Sequence, residues 1–141
     1  MIDLQNVKVV EAIRPAAIVD NTAFTSAEVD TLGFDSALGV FHYGTSDIAL
    51  AALGLEESDT SGSGFAAVSD FTFSTLPGAT DDGKLYGFHV DLTKRKRYLK
   101  ITATAGDGSA GTYASAVMVL GRAKIGLSSA TLRGFAGEKI G

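Results

Sequence analysis

The chain has no cysteine and no tryptophan. Without cysteine there is neither a disulfide nor a thiolate metal site. Proline occurs only twice, and so does histidine, in 141 residues. Charge is sparse too: 20% of residues are charged, against ~25% in ordinary soluble proteins. The balance is acidic, with 12 basic and 16 acidic residues and a net charge of -4. Bulk electrostatic binding to DNA or RNA needs clustered positive charge, so no nucleic-acid partner is expected. No run approaches the ~18 apolar residues that span a bilayer, so no membrane partner is expected either. The opening Met-Ile-Asp-Leu-Gln-Asn has neither the basic nor the apolar region of a signal peptide. The expectation is a protein made and kept in a cytosol, or in something assembled there.

What is present is apolar and glycine-rich: 45% hydrophobic residues and 17 glycines. A chain of this length makes one domain with a real core. Low charge with much Gly, Ala, Ser and Thr suits either a surface partly covered by neighbours or a plain β domain with many turns. Val7 to Ile13 reads as a first strand, closed by Arg14-Pro15. Ala27 to Thr31 is extended, and Leu38 to Gly44 is a strand. After the turn at Thr45-Ser46-Asp47, Ile48 to Leu55 is expected to pair back as a strand, with helix as the alternative. Glu56 to Gly64 is a polar, flexible loop, and Phe65 to Val68 a short extended piece. Lys84 to Leu92 alternates, with Tyr86, Phe88, Val90 and Leu92 on one face.

Residues 97–121 carry two β-branched and aromatic runs around Gly106-Asp-Gly-Ser-Ala-Gly111, the pattern of a β-hairpin. The second run is apolar on both faces, with Val117 and Val119 on one and Met118 and Leu120 on the other. Such a strand is covered twice, by a second sheet and by something else. Seven to nine strands with short turns predict an all-β fold, an antiparallel β-sandwich or jelly-roll-like barrel over residues 1–121. Residues 122–141 scatter single apolar residues among glycines. They read as a C-terminal extended arm that lies on a partner, or as a tail that is packed on its own domain or frayed.

Reactive constellations fail on context. The Gly106–Gly111 loop has the spacing G-x-G-x-x-G, but a strand follows it, whereas a dinucleotide site needs a helix. His42 and His89 sit in separate strands with no metal-ligand spacing between them. No G-x-S-x-G string occurs, and Ser61 and Ser63 lie in a loop. The acidic turns lack EF-hand spacing. The expectation is therefore no catalytic residue, no cofactor and no metal. The one charge run, Lys94-Arg95-Lys96-Arg97, reads as a solvated turn first and a contact to an acidic neighbour second. Phe24, Phe34, Phe71, Phe73 and Phe135 lie in loop-like stretches and are candidate partner anchors, together with Lys94, Arg95 and Lys96; folding back onto the core is the alternative for each phenylalanine.

Several stretches together resemble small structural proteins of tailed bacteriophages. They are Asn6-Val-Lys-Val-Val-Glu-Ala-Ile-Arg-Pro-Ala, Gly39-Val-Phe-His-Tyr-Gly, and Leu55-Glu-Glu-Ser-Asp with its Gly/Ser loop and Phe65-Ala-Ala-Val. Lys96-Arg-Tyr-Leu-Lys-Ile-Thr-Ala-Thr-Ala and Ala116-Val-Met-Val-Leu-Gly complete the set. The resemblance covers most of residues 6–121 and is a pattern of strands, with no catalytic signature. It implies a non-enzymatic head decoration (cement) role on the capsid surface of a virion assembled in the host cytoplasm. The implied partners are the major capsid protein and other copies of this chain, in a homotrimer. A tail, connector or fibre-base component is the neighbouring expectation. A carbohydrate- or ligand-binding sandwich, using Tyr43, Tyr86, Tyr98 or Tyr113 for a sugar, is a third.

Overall fold

The computed structural model describes residues 4–141. Met1 to Asp3, which begin the N-terminal stretch read above, lie outside the described residues. Among the described residues, eight strands form in chain order: β1 (Lys8–Ile13), β2 (Val29–Asp30), β3 (Ser36–Ser46), β4 (Ala52–Ser58), β5 (Ala66–Ala67), β6 (Leu85–Asp91), β7 (Tyr98–Thr104) and β8 (Thr112–Gly121). They make two four-stranded antiparallel sheets. Sheet A has the order β1-β8-β3-β6 and sheet B the order β2-β7-β4-β5. The two sheets pack face to face as a sandwich and do not close into a barrel.

Period-two alternation builds the core. Phe41 and Tyr43 of β3, Phe88 and Val90 of β6, and Met118 and Leu120 of β8 point inward from sheet A. Leu53 and Leu55 of β4 and Leu99, Ile101 and Ala103 of β7 meet them from sheet B. Every one of these side chains is under 5% exposed, so the space between the sheets is filled.

Two expected pairings are wrong. The runs flanking Gly106–Gly111 are both strands, but they do not form a hairpin: β7 lies in sheet B and β8 in sheet A. Residues 105–111 cross between the sheets. Their glycines serve close packing rather than a tight turn: a Cβ at Gly106 would run into the carbonyl of Ala49. The strand after Asp47 likewise begins later than expected, at Ala52, and pairs with β7 rather than back onto β3. The carbonyl of Ile48 accepts from the Tyr43 hydroxyl at 3.0 Å and from Ser46 Oγ at 2.7 Å. That pins the turn and sends the chain across to the other sheet.

The C-terminal segment is not an extended arm. The amide of Arg133 donates to the Ser129 carbonyl at 3.1 Å, and that of Phe135 to the Ala130 carbonyl at 2.9 Å, winding residues 129–135 into turns. This knot docks on β1, where the Val9 amide donates to the Arg133 carbonyl at 2.9 Å. The Arg133 side chain is buried and bonds the Glu138 carboxylate and the Leu127 carbonyl. A guanidinium with five donors gathers three tail segments around one point, and that outweighs the disorder expected of a glycine-rich end. Among the described residues, no helix is long and apolar enough to cross a membrane.

Candidate interaction surfaces

The basic run, the glycine-rich loop and the serine-rich loop singled out in the sequence are each engaged within the chain. The four basic residues at 94–97 meet four of its own carboxylates. Lys94 Nζ lies 3.8 Å from Asp91, Arg95 3.6 Å from Glu57, and Lys96 Nζ 3.8 Å from Asp59. Arg97 holds Asp30 through two bonds of 2.9 and 2.8 Å, the fork geometry that suits guanidinium and carboxylate. That pairing holds the Asp30 carboxyl below its usual range. The run is thus a clamp between the turn, β2 and the β4 end, more than a free positive patch.

The G-x-G-x-x-G loop is a carboxylate cradle. Asp47 accepts from the amides of Ser109 at 2.6 Å and Ala110 at 2.9 Å, and Asp20 from the amide of Gly108 at 3.0 Å. The amides of Ala110 and Ser109 pull the Asp47 carboxyl below its ordinary value. Amides that would face a phosphate in a dinucleotide site here face the protein's own carboxylates. The serine-rich loop is tied as well: Glu28 accepts from Ser61 Oγ and from the Gly62 amide, both at 2.6 Å.

The two histidines stay apart. His42 pairs with Leu85 and His89 with Leu38, so they stand four residues apart along neighbouring strands, roughly 13 Å. Among the described residues, no three His, Asp or Glu side chains gather as metal ligands.

The proposed phenylalanine anchors divide. Phe24 is only 7% exposed and belongs to the core, because β7 takes its amide through the Ala103 carbonyl at 2.9 Å. Phe34, Phe71 and Phe73 are half-buried and packed against the core. Phe73 stands edge-on to Tyr86 and Phe88, with centroids 5.8 and 5.3 Å away. These rings plug the open side of the sandwich. Only Phe135 remains exposed, on the docked tail. Of the tyrosines, Tyr43 is fully buried and Tyr86 packs on Phe41 and Phe73, which leaves little aromatic platform for a sugar.

The surface that stands out is the outer face of sheet A. Directly opposed residues share a face. One row across the sheet is therefore Val9, Val119, Leu38 and His89, and the next is Glu11, Val117, Val40 and Gly87. Leu38, Val40, Val9 and Val119 are half-buried, whereas Val117, Tyr113 and Leu85 are 39%, 49% and 65% exposed. Glu11, at the margin, is the single formal charge in these two rows. The two-faced apolar pattern of β8 pointed to this surface from sequence; the contributions of Leu85 and Tyr113 became visible only with strand order. Scans against protein-family models, curated proteins and solved structures gave no match.

Proposed function

We propose that this chain is a non-enzymatic structural protein of a tailed-phage virion, which binds the outside of the capsid and stabilises it. The observation that carries the reading is the outer face of sheet A, an apolar surface in a chain whose ionic groups largely answer one another. Exposed apolar surface of this kind, broken here by the row of His42 and Ser115, marks an interaction site. The strand order 1-8-3-6 and 2-7-4-5 fits a jelly roll of two Greek keys, an architecture used by viral capsid and lectin domains. Fold alone does not assign a job, so the exposed face and the resemblance of residues 6–121 to small phage structural proteins carry the argument beyond it. In this reading the major capsid protein covers Leu38, Val40, Val117 and Val119, the protein acts as a homo-oligomer on the virion surface, and no cofactor is needed.

The test adds purified protein to undecorated capsids assembled from the major capsid protein of the same genome. Saturable binding and a higher capsid melting temperature are expected, and Val117→Lys should abolish both while the free protein stays folded. Failure of the unaltered protein to bind would overturn the reading. Copy number in virions separates a decoration protein, present in hundreds, from a connector ring of six or twelve, figures set by closed symmetry.

A further inference from the structure

Exposed sheet edges are templates for pairing, and proteins cover or blunt them. Three edges of this sandwich are covered or very short. The β1 edge carries a register shift, meets Arg133 through the Val9 amide, and gives its Ala12 carbonyl to the Ala27 amide at 2.7 Å. The β2 and β5 edges are two residues long.

The β6 edge differs. It is seven residues long, pairs with β3 without a bulge, and contains neither lysine nor proline. Its hydrogen-bond phase follows from two contacts at its ends. The Tyr43 amide donates to the Lys84 carbonyl, and the Leu92 amide to the Asp35 carbonyl, both at 3.0 Å. Even-numbered residues therefore face β3, because antiparallel pairs alternate. The amides and carbonyls of Leu85, Gly87 and His89 point away from the sheet, with no protein partner among the described residues.

We propose that the β6 edges of two copies pair antiparallel about a two-fold axis, joining two four-stranded sheets A into one continuous sheet. The charge distribution fits this occupant. Between Lys84 and Asp91 the strand is Leu-Tyr-Gly-Phe-His-Val, so no like charges oppose one another along the seam. With Gly87 opposite His89 of the second copy, the Asp82 end of one strand meets the Lys94 end of the other, twice by symmetry. Main-chain bonds align the pair, and on the outer face the seam sets Leu85 beside Asp91 and Gly87 beside His89 of the second copy. The contact closes at two chains, where the phage resemblance implies three, and it does not depend on capsid binding.

Sedimentation of the purified full chain over a concentration series tests it. A two-chain mass that dissociates on dilution is expected. Leu85→Lys puts an edge lysine at an exposed position and should weaken the dimer by about tenfold or more. His89→Pro removes an outward amide donor, which an edge strand tolerates, and should give single chains with an unchanged circular dichroism spectrum. Amide exchange at Gly87 and His89 should be slower in the unaltered protein than in Leu85→Lys. A single chain at every concentration, a trimer, or a dimer that both substitutions leave intact would overturn the pairing. Capsid binding by the same samples is read separately, so either proposal can fail alone.

Discussion

Gly39→Ala probes the packing between the two sheets. Gly39 lies on the inner face of β3, and an added Cβ would stand 2.9 Å from Ile101 Cδ1 of the opposite sheet and 3.2 Å from Phe88 Cβ beside it. Overpacking of this kind costs about 1–3 kcal/mol. Replacing a strand glycine by alanine returns about 0.5–1 kcal/mol of backbone entropy. The net loss should be about 0–2.5 kcal/mol, centred near 1, with about 3–4 °C of melting temperature per kcal/mol for a chain of this size. Ile101→Val removes the Cδ1 atom that clashes, and alone should cost about 0.5–1.5 kcal/mol through the cavity it leaves. The double variant should then be more stable than the sum of the two predicts, by at least ~0.5 kcal/mol. Urea unfolding of the four proteins closes the cycle. Simple additivity, or an alanine at 39 that stabilises, would mean that β3 and β7 do not pack at this distance.

Acid should unlock the crossover loop. Asp47 is held below its ordinary value by the Ala110 and Ser109 amides, so its contribution is present above the unfolded carboxyl pKa of about 4 and is lost as pH falls through the folded value. Asp47→Asn should flatten the acid limb of the urea midpoint between neutral pH and pH 2; parallel acid limbs would refute the assignment. Gly134→Ala should release the tail, because its φ of 88° suits glycine and an added Cβ would strike the Val9 backbone. Limited proteolysis should then clip the C-terminal segment in the variant while residues 4–121 stay resistant; equal protection in both proteins would count against the docking. Phe88→Ala should cost about 3–5 kcal/mol, read by thermal melting, since Phe88 is buried against Phe71 and Phe73.

Sequence order alone located most strands, misplaced β4 by reading its last residues, 56–58, as loop, and did not reveal which strands are neighbours. Alternation over 84–92 placed Phe88 and Val90 on the buried face, and the runs at 97–105 and 112–121 became β7 and β8 nearly to the residue. Phe24 illustrates the opposite case: a lone aromatic between Ala23 and Thr25 carries no period, so only the Ala23–Thr104 bridge and the Phe24 amide bond to Ala103 reveal that it is core. The basic run at 94–97 looked free because its carboxylate partners lie 3 to 67 positions away in the chain.

The amino-acid order by itself pointed to an all-β chain, the shared faces of the alternating runs at 84–92 and 99–105, and a last strand apolar on both sides, because period two is a local property of the pleated backbone. Only the tertiary structure decided that β7 and β8 part company, that the tail docks on β1, and that β6 ends a sheet with its outer amides facing away from β3. Pairing is a choice among many strands of equal local merit. It is settled by what the loops between them can reach: the cradle of Asp47 and Asp20 around residues 108–110, and the Arg133 anchor in the tail.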